Sequence, residues 1–190
     1  DGHHLGVNVA MQGASMTISP SFIGAQPALF TIGAREIRPL AGELARAYEL
    51  VSSLTGAQRA DAILGRRRGG LRAGPGHNGD VPDARGVSAA TFDESQRTLL
   101  LELIAHWVDV LPRDHASKRM KQLSGEIDKM KFAWSGATKP GSDMSFAIQG
   151  PSLIIEYSGQ DLGGNPLDHL HTIYRDPTNE YGVRLGYDAR

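Results

Sequence analysis

The run Asp168-His169-Leu170-His171 carries the clearest chemistry in this sequence. On an extended chain, residues two apart point to the same side. Both imidazoles then leave one face, about 7 Å apart at the backbone, while Leu170 turns toward a core. Imidazoles so paired suit zinc, copper, iron or nickel. A second pair, His3-His4, lies at the start of the sequence. If its strand pairs near residues 169–175, three or four imidazoles converge. Glu156 lies in the apolar run Leu153-Ile154-Ile155-Glu156-Tyr157. A carboxylate buried there must be paired, protonated or bound to metal, so Glu156 is the expected fourth ligand or general base. Arg175 and Asp176 follow the histidine strand. The guanidinium fork of Arg175 matches a carboxylate or phosphate, and Asp176 could orient a ligand histidine. The plainer reading of these two is an Arg–Asp pair and an Asp-Pro turn closing a strand. As a free amino terminus, Asp1-Gly2-His3 would also chelate copper(II) or nickel(II) without any fold.

These groups need elements to hold them. Leu5, Val7 and Val9 alternate with His4, Gly6, Asn8 and Ala10, the period of a half-buried strand over residues 3–11. Gln12-Gly13-Ala14 turns it into a second strand at 15–19, which Pro20 ends. Residues 21–38 carry Gly24, Pro27 and Gly33 and read as a loop with short extended pieces. Apolar spacings of three and four predict a helix from Pro39 through Ser53, then a shorter one over 57–64. Residues 65–90, rich in glycine and arginine, read as a flexible surface loop without a phosphate-loop motif. Thr91-Phe92-Asp93-Glu94 reads as a capping box. It opens a helix through Leu111, with Leu99, Leu103, His106 and Val110 on one strip and Leu100, Ile104, Trp107 and Leu111 on the next. A charged helix is expected from about Asp114 to Met130. Strands are expected at 131–135, 144–149, 152–157 and 169–175. Strands, then helices, then strands predict an α+β fold: an antiparallel sheet with helices grouped on one face.

The 190 residues make one expected domain, residues 1–190, and 40% apolar content supports a core. A formal net charge of -1 argues against a nucleic-acid partner. No apolar stretch is long enough for a membrane span. The absence of cysteine removes disulfides, thiolate catalysis, iron–sulfur clusters and all-Cys zinc sites. Asp1-Gly2-His3-His4 is neither a methionine start nor a signal peptide, so the chain is expected to be a processed product or a fragment, with something before its first strand.

Several ordered blocks carry a resemblance. They are Gly2-His3-His4-Leu5 with Val7-Asn8, Pro20-Ser21-Phe22-Ile23-Gly24-Ala25-Gln26-Pro27-Ala28, and Arg38-Pro39-Leu40 leading into Glu43-Leu44-Ala45-Arg46-Ala47. Phe132-Ala133-Trp134-Ser135-Gly136 and Ile148-Gln149-Gly150-Pro151 with Ile155-Glu156-Tyr157 follow. The last is His169-Leu170-His171-Thr172-Ile173-Tyr174-Arg175-Asp176-Pro177 with Asn179-Glu180-Tyr181-Gly182. From Gly2 to Gly182 the chain resembles domain of unknown function family 3500. The resemblance implies a longer parent with a portion before the Gly-His-His block, and export to the periplasm or beyond the cell. It also implies that Gly-His-His, Glu156 and His-x-His-x-x-x-Arg-Asp are signature positions. The chain departs from the family pattern at Asp168, at Glu180 and over Met144-Ser145-Phe146-Ala147.

The expected function is that of a metal-dependent enzyme. His3 or His4, His169 and His171 would bind one transition metal, zinc or copper, with Glu156 as fourth ligand or base. Arg175 would hold an anionic small-molecule substrate, and Asp176 would orient a histidine. The alternative is a non-catalytic exported metal-binding or subunit protein with structural histidines, its first strand completing a sheet with the missing N-terminal polypeptide or a partner chain.

Overall fold

The computed structural model describes residues 4–187. His3, one of the expected ligands, lies outside them. In chain order come β1 (Leu5–Val7), β2 (Ala10–Gln12), β3 (Ser15–Thr17), β4 (Ser21–Ala25), β5 (Phe30–Ile32) and β6 (Arg35–Ile37). Next are α1 (Ala41–Ser53), α2 (Gly56–Ala62), β7 (Ile63–Gly65), β8 (Val87–Ser88), α3 (Glu94–Val108) and α4 (Arg113–Gly125). The chain closes with β9 (Lys131–Gly136), β10 (Met144–Gly150), β11 (Leu153–Gly159) and β12 (Leu170–Arg175).

Among the described residues, one large sheet runs β1-β4-β12-β11-β10-β9-β7, with β8 also on β9. Every pairing in it is antiparallel except β7 with β9. The fold is therefore α+β, with a mixed, mostly antiparallel sheet. The last four strands follow the expected alternation. Phe132, Trp134, Phe146, Ile148, Ile155 and Tyr157 turn to one face, where Leu50 and Val51 of α1, Leu100 and Ile104 of α3 and Leu123 of α4 complete the core. The Phe146 and Tyr157 rings stack at 5.2 Å. Trp107 of α3 donates from Nε1 to Thr172 Oγ1 of β12, which ties the helices to the strand of the histidines.

Several boundaries differ from expectation. The first strand does not run on to residue 11. Asn8 turns its amide and its Nδ2 onto the Pro20 carbonyl, which ends pairing after Val7. β2 and β3 then form a separate hairpin. Leu5 and Val7 lie on the helix side by register, yet at the sheet edge both stay exposed. Residues 21–25, within the expected loop with short extended pieces, are a full strand of the main sheet between β1 and β12. The capping box at the start of α3 is Asp93 with Gln96, not Thr91 with Glu94: Asp93 Oδ1 accepts from Gln96 N, and Gln96 Oε1 accepts from Asp93 N. Thr55 and Gln58 cap α2 in the same reciprocal way. α3 ends at Val108, short of the expected Leu111; His106 on it and Val110 beyond it, both of the expected apolar strip, face solvent, and Leu100, Leu103, Ile104 and Trp107 face the core. The charged helix ends at Gly125, and a 3₁₀ turn at Ile127–Lys129 leads into β9. α2 ends at Ala62, short of the expected residue 64, and Ile63 passes directly into β7.

The opposite face of the sheet is polar. Residues 66–86 cross it as a strap. Gly69 N donates to Ser145 Oγ, Ser158 Oγ donates to Gly69 O, and Gln149 Nε2 donates to Pro82 O. Lys131 Nζ donates to Ala84 O at 3.4 Å. Arg68 is held by Asp143 and Asp161. No helix among the described residues is long and apolar enough to cross a membrane.

Candidate metal centre

The site forms where β4 separates β1 from β12. His171 stands opposite Gly24, and Ser158 of β11 stands opposite His171. Directly opposed residues share a face, so His171, Ile173 and Arg175 project from the polar side with Glu156 and Ser158. His169 precedes the strand with the same parity. His4 precedes β1, and its carbonyl accepts from Gly24 N at 2.8 Å.

Gly24 is what lets His4 reach across an intervening strand. A Cβ on it would lie 2.8 Å from His171 Cδ2, 2.8 Å from His4 Cδ2 and 2.8 Å from the Leu170 carbonyl. With only hydrogen there, the imidazoles meet over the strand. His4 Nε2 lies 2.9 Å from His169 Nε2, and His169 Nε2 lies 3.0 Å from His171 Nε2. His169 and His171 are buried, and His4 is half-buried. Phe22 packs against His171 edge to face at 4.8 Å.

The donor set suits a transition-metal ion. His169 Nδ1 faces the Leu162 carbonyl at 2.5 Å. A carbonyl only accepts, so Nδ1 carries the proton and Nε2 presents its lone pair. One lone pair cannot take hydrogen bonds from both neighbouring imidazoles. A cation satisfies all three nitrogens together, and the carbonyl behind His169 fixes the ring as such partners do at metal sites. Nitrogen–metal bonds of about 2.0–2.1 Å at a tetrahedral angle span about 3.3–3.4 Å, a few tenths of an ångström beyond the observed separations. Among the described residues, these three histidines are the group able to hold an ion.

Glu156 is not brought into this group. Its Oε2 accepts from the Arg72 and Ala73 amides at 2.7 and 2.8 Å, so it anchors the strap. Burial pushes its carboxyl above the usual range, opposed by those amides and by the charges of Arg72 and Arg175. Arg175 shares the histidine face but is almost wholly buried. It pairs through Nε with Glu180, and Nη1 donates to Ala73 O at 3.2 Å. Its Nη2 is buried without a hydrogen-bond partner. Asp176 has the opposite parity and looks toward the helices. There it pairs with Arg119 at 3.1 Å and accepts from the Thr178 amide and hydroxyl. No contact of Asp176 with a described histidine is seen; the Arg119 charge draws its carboxylate to α4.

Sequence reasoning missed three parts of this arrangement: Gly24 as the gap, Leu162 as the carbonyl behind His169, and Glu180 as the partner of Arg175. Gly24 left the one legible trace, a glycine within a run of residues suited to a strand.

A model of a family of proteins of unknown function, DUF3500, matches residues 1–183. The chain belongs to this family. No curated protein and no solved structure matches it. In this DUF3500 protein, the blocks holding His4, Gly24, Glu156 and His169 to Arg175 are far apart in sequence and meet on one sheet face.

Proposed function

We propose that this protein binds one transition-metal ion, zinc or copper, through His4, His169 and His171, and is an enzyme acting there on a small anionic molecule. The observation that carries the reading is the convergence of three imidazole Nε2 atoms, one of them fixed by the Leu162 carbonyl. The lack of any cysteine favours zinc or copper on imidazole over iron–sulfur chemistry. An ion on such ligands activates water, or dioxygen where the metal is redox-active. Phe22 supports a substrate place beside it. Its ring touches His171, and it also lines a cavity of about 260 Å³ with Ile173, Arg175 and Tyr181. Arg175 lines that cavity; Glu180 and the Ala73 carbonyl engage its Nε and Nη1, and its buried Nη2 is the donor left for a carboxylate or phosphate. Glu156, in this reading, holds the strap that roofs the face.

Elemental mass spectrometry tests the reading on wild type and on a His169→Ala/His171→Ala variant, both with blocked amino termini. Close to one metal per wild-type chain and none in the variant is the expected result. Wild type that retains neither zinc nor copper after loading and dialysis overturns it.

A second reading is a subunit of an exported assembly, with the metal structural. The exposed Leu5, Val7, Val9 and Met11 along the N-terminal edge favour it. Light scattering separates the two: a lone monomer with metal-dependent turnover supports the enzyme, and a partner-dependent complex without turnover supports the subunit.

A further inference from the structure

The strap leaves a second cavity, beside β9 and β10 and away from the histidines. On the polar face these strands carry small residues, with Ala147 opposite Ala133 and Ser145 opposite Ser135. Such a floor cannot fill the space below the strap, and a cavity of about 300 Å³ remains. That volume is at the small end of ligand sites. Positive residues outnumber negative ones in its walls. Arg67, Arg72 and Arg85 line it, and the carboxylate among its lining residues is Glu156.

The arginines there differ from their neighbour Arg68. Arg68 is paired with Asp143 and Asp161. Arg67 and Arg85 form no hydrogen bond or ion pair with any described residue. Arg72 donates from Nη1 to the Asp83 carbonyl, which leaves its charge unneutralised by that contact. The Glu156 oxygen that is engaged already accepts two strap amides. Three arginines therefore line the cavity with one carboxylate, and Ser135 and Ser145 lie on its floor. Leu64 and Ala133 add apolar wall.

We propose that this cavity is a binding site for a compact dianion, a small dicarboxylate or a phosphate group, held between Arg67, Arg72 and Arg85. Guanidinium forks match the paired oxygens of either group. The short apolar walls suit a body of a few carbon atoms. The site stands apart from the metal reading: the three histidines are not among its lining residues, and its binding needs no ion.

Isothermal titration of the metal-free protein with succinate, and separately with inorganic phosphate, tests it. An Arg67→Ala/Arg85→Ala variant removes two exposed guanidiniums without touching the core. Ala147→Leu fills the floor while leaving every charge in place. Saturable binding of either probe that weakens about tenfold or more in both variants is the expected result, since charge-assisted bonds and space are both lost. Tighter succinate binding assigns an organic acid, and tighter phosphate binding assigns a phosphate group. No saturable binding of either probe overturns the proposal. So does binding that both variants retain unchanged. Unfolding curves of the variants without ligand accompany each titration. Because the histidines are intact and empty of metal throughout, failure here leaves the metal reading as it stood, and failure of the metal reading leaves this one.

Discussion

Gly24 stands opposite His171 in the β4–β12 ladder, and the imidazole of His171 occupies the space that a side chain on Gly24 would need. The same missing side chain gives His4 its passage over β4. A backbone position on an otherwise ordinary strand thus decides whether three imidazoles can meet.

Gly24→Ala is therefore expected to injure the site more than the fold. The new methyl would press on both imidazoles and on the Leu170 carbonyl. Metal affinity, read by competition with a chromophoric chelator, is expected to fall about 10–100-fold, the usual effect of disturbing the groups behind metal ligands. Unchanged affinity would show that His4 is not needed.

Metal should stabilise the folded chain. Ligand at about a hundred times its dissociation constant adds about 2.7 kcal/mol. For a chain of this size that raises the melting temperature by about 5–10 °C. The His169→Ala/His171→Ala variant should show no rise on addition of zinc or copper, which differential scanning calorimetry reads directly.

Two glutamates should give opposite pH dependences. Burial raises the Glu156 carboxyl above 4.5, so its contribution is fully present below that pH and is lost as pH rises through the raised value. Glu156→Gln keeps an oxygen for the Arg72 and Ala73 amides, so the variant should gain on wild type as pH rises from 4 to 8. For Glu126, burial is outweighed by hydrogen bonds from Ser152 and Gln122 and by the Arg119 charge, which hold the carboxyl below 4.5. Its contribution is present above that pH and lost as pH falls through the lowered value. Glu126→Gln should be the weaker protein at pH 7, with the gap closing in acid. Urea titrations across pH measure both.

Arg119 joins α4 to the end of β12. It donates to Tyr174 Oη at 2.9 Å and to Ser152, and it pairs with Asp176. Arg119→Met strands a buried carboxylate, and removing one partner of such a pair costs about 3–5 kcal/mol. Asp176→Asn keeps the bonds from Thr178 and should cost less. Denaturant midpoints rank the two, and an Arg119→Met protein as stable as wild type would contradict this account.

Much of the C-terminal sheet was legible because alternation is local. Phe132, Trp134, Phe146 and Ile148 declare one face without reference to the rest of the chain. The pairing of His169 with His171 followed from the same rule. The partners of Glu156 were not legible, because they are main-chain amides of the strap and no side-chain pattern marks an amide. Alternation puts Asp176 on the helix side, away from His169 and His171, but its partner there, Arg119 of α4, is set by the packing of a distant helix.

By itself, the sequence determined which faces the C-terminal strands turn to the core and that helices cover one side. Those properties depend on neighbours within a few positions. The tertiary structure alone decided that β4 enters the sheet between β1 and β12, that the strap crosses the polar face and that His4 meets His169 from 165 residues away. Strand order and loop path are set by which distant surfaces bury together, and the energy of that choice belongs to no single segment.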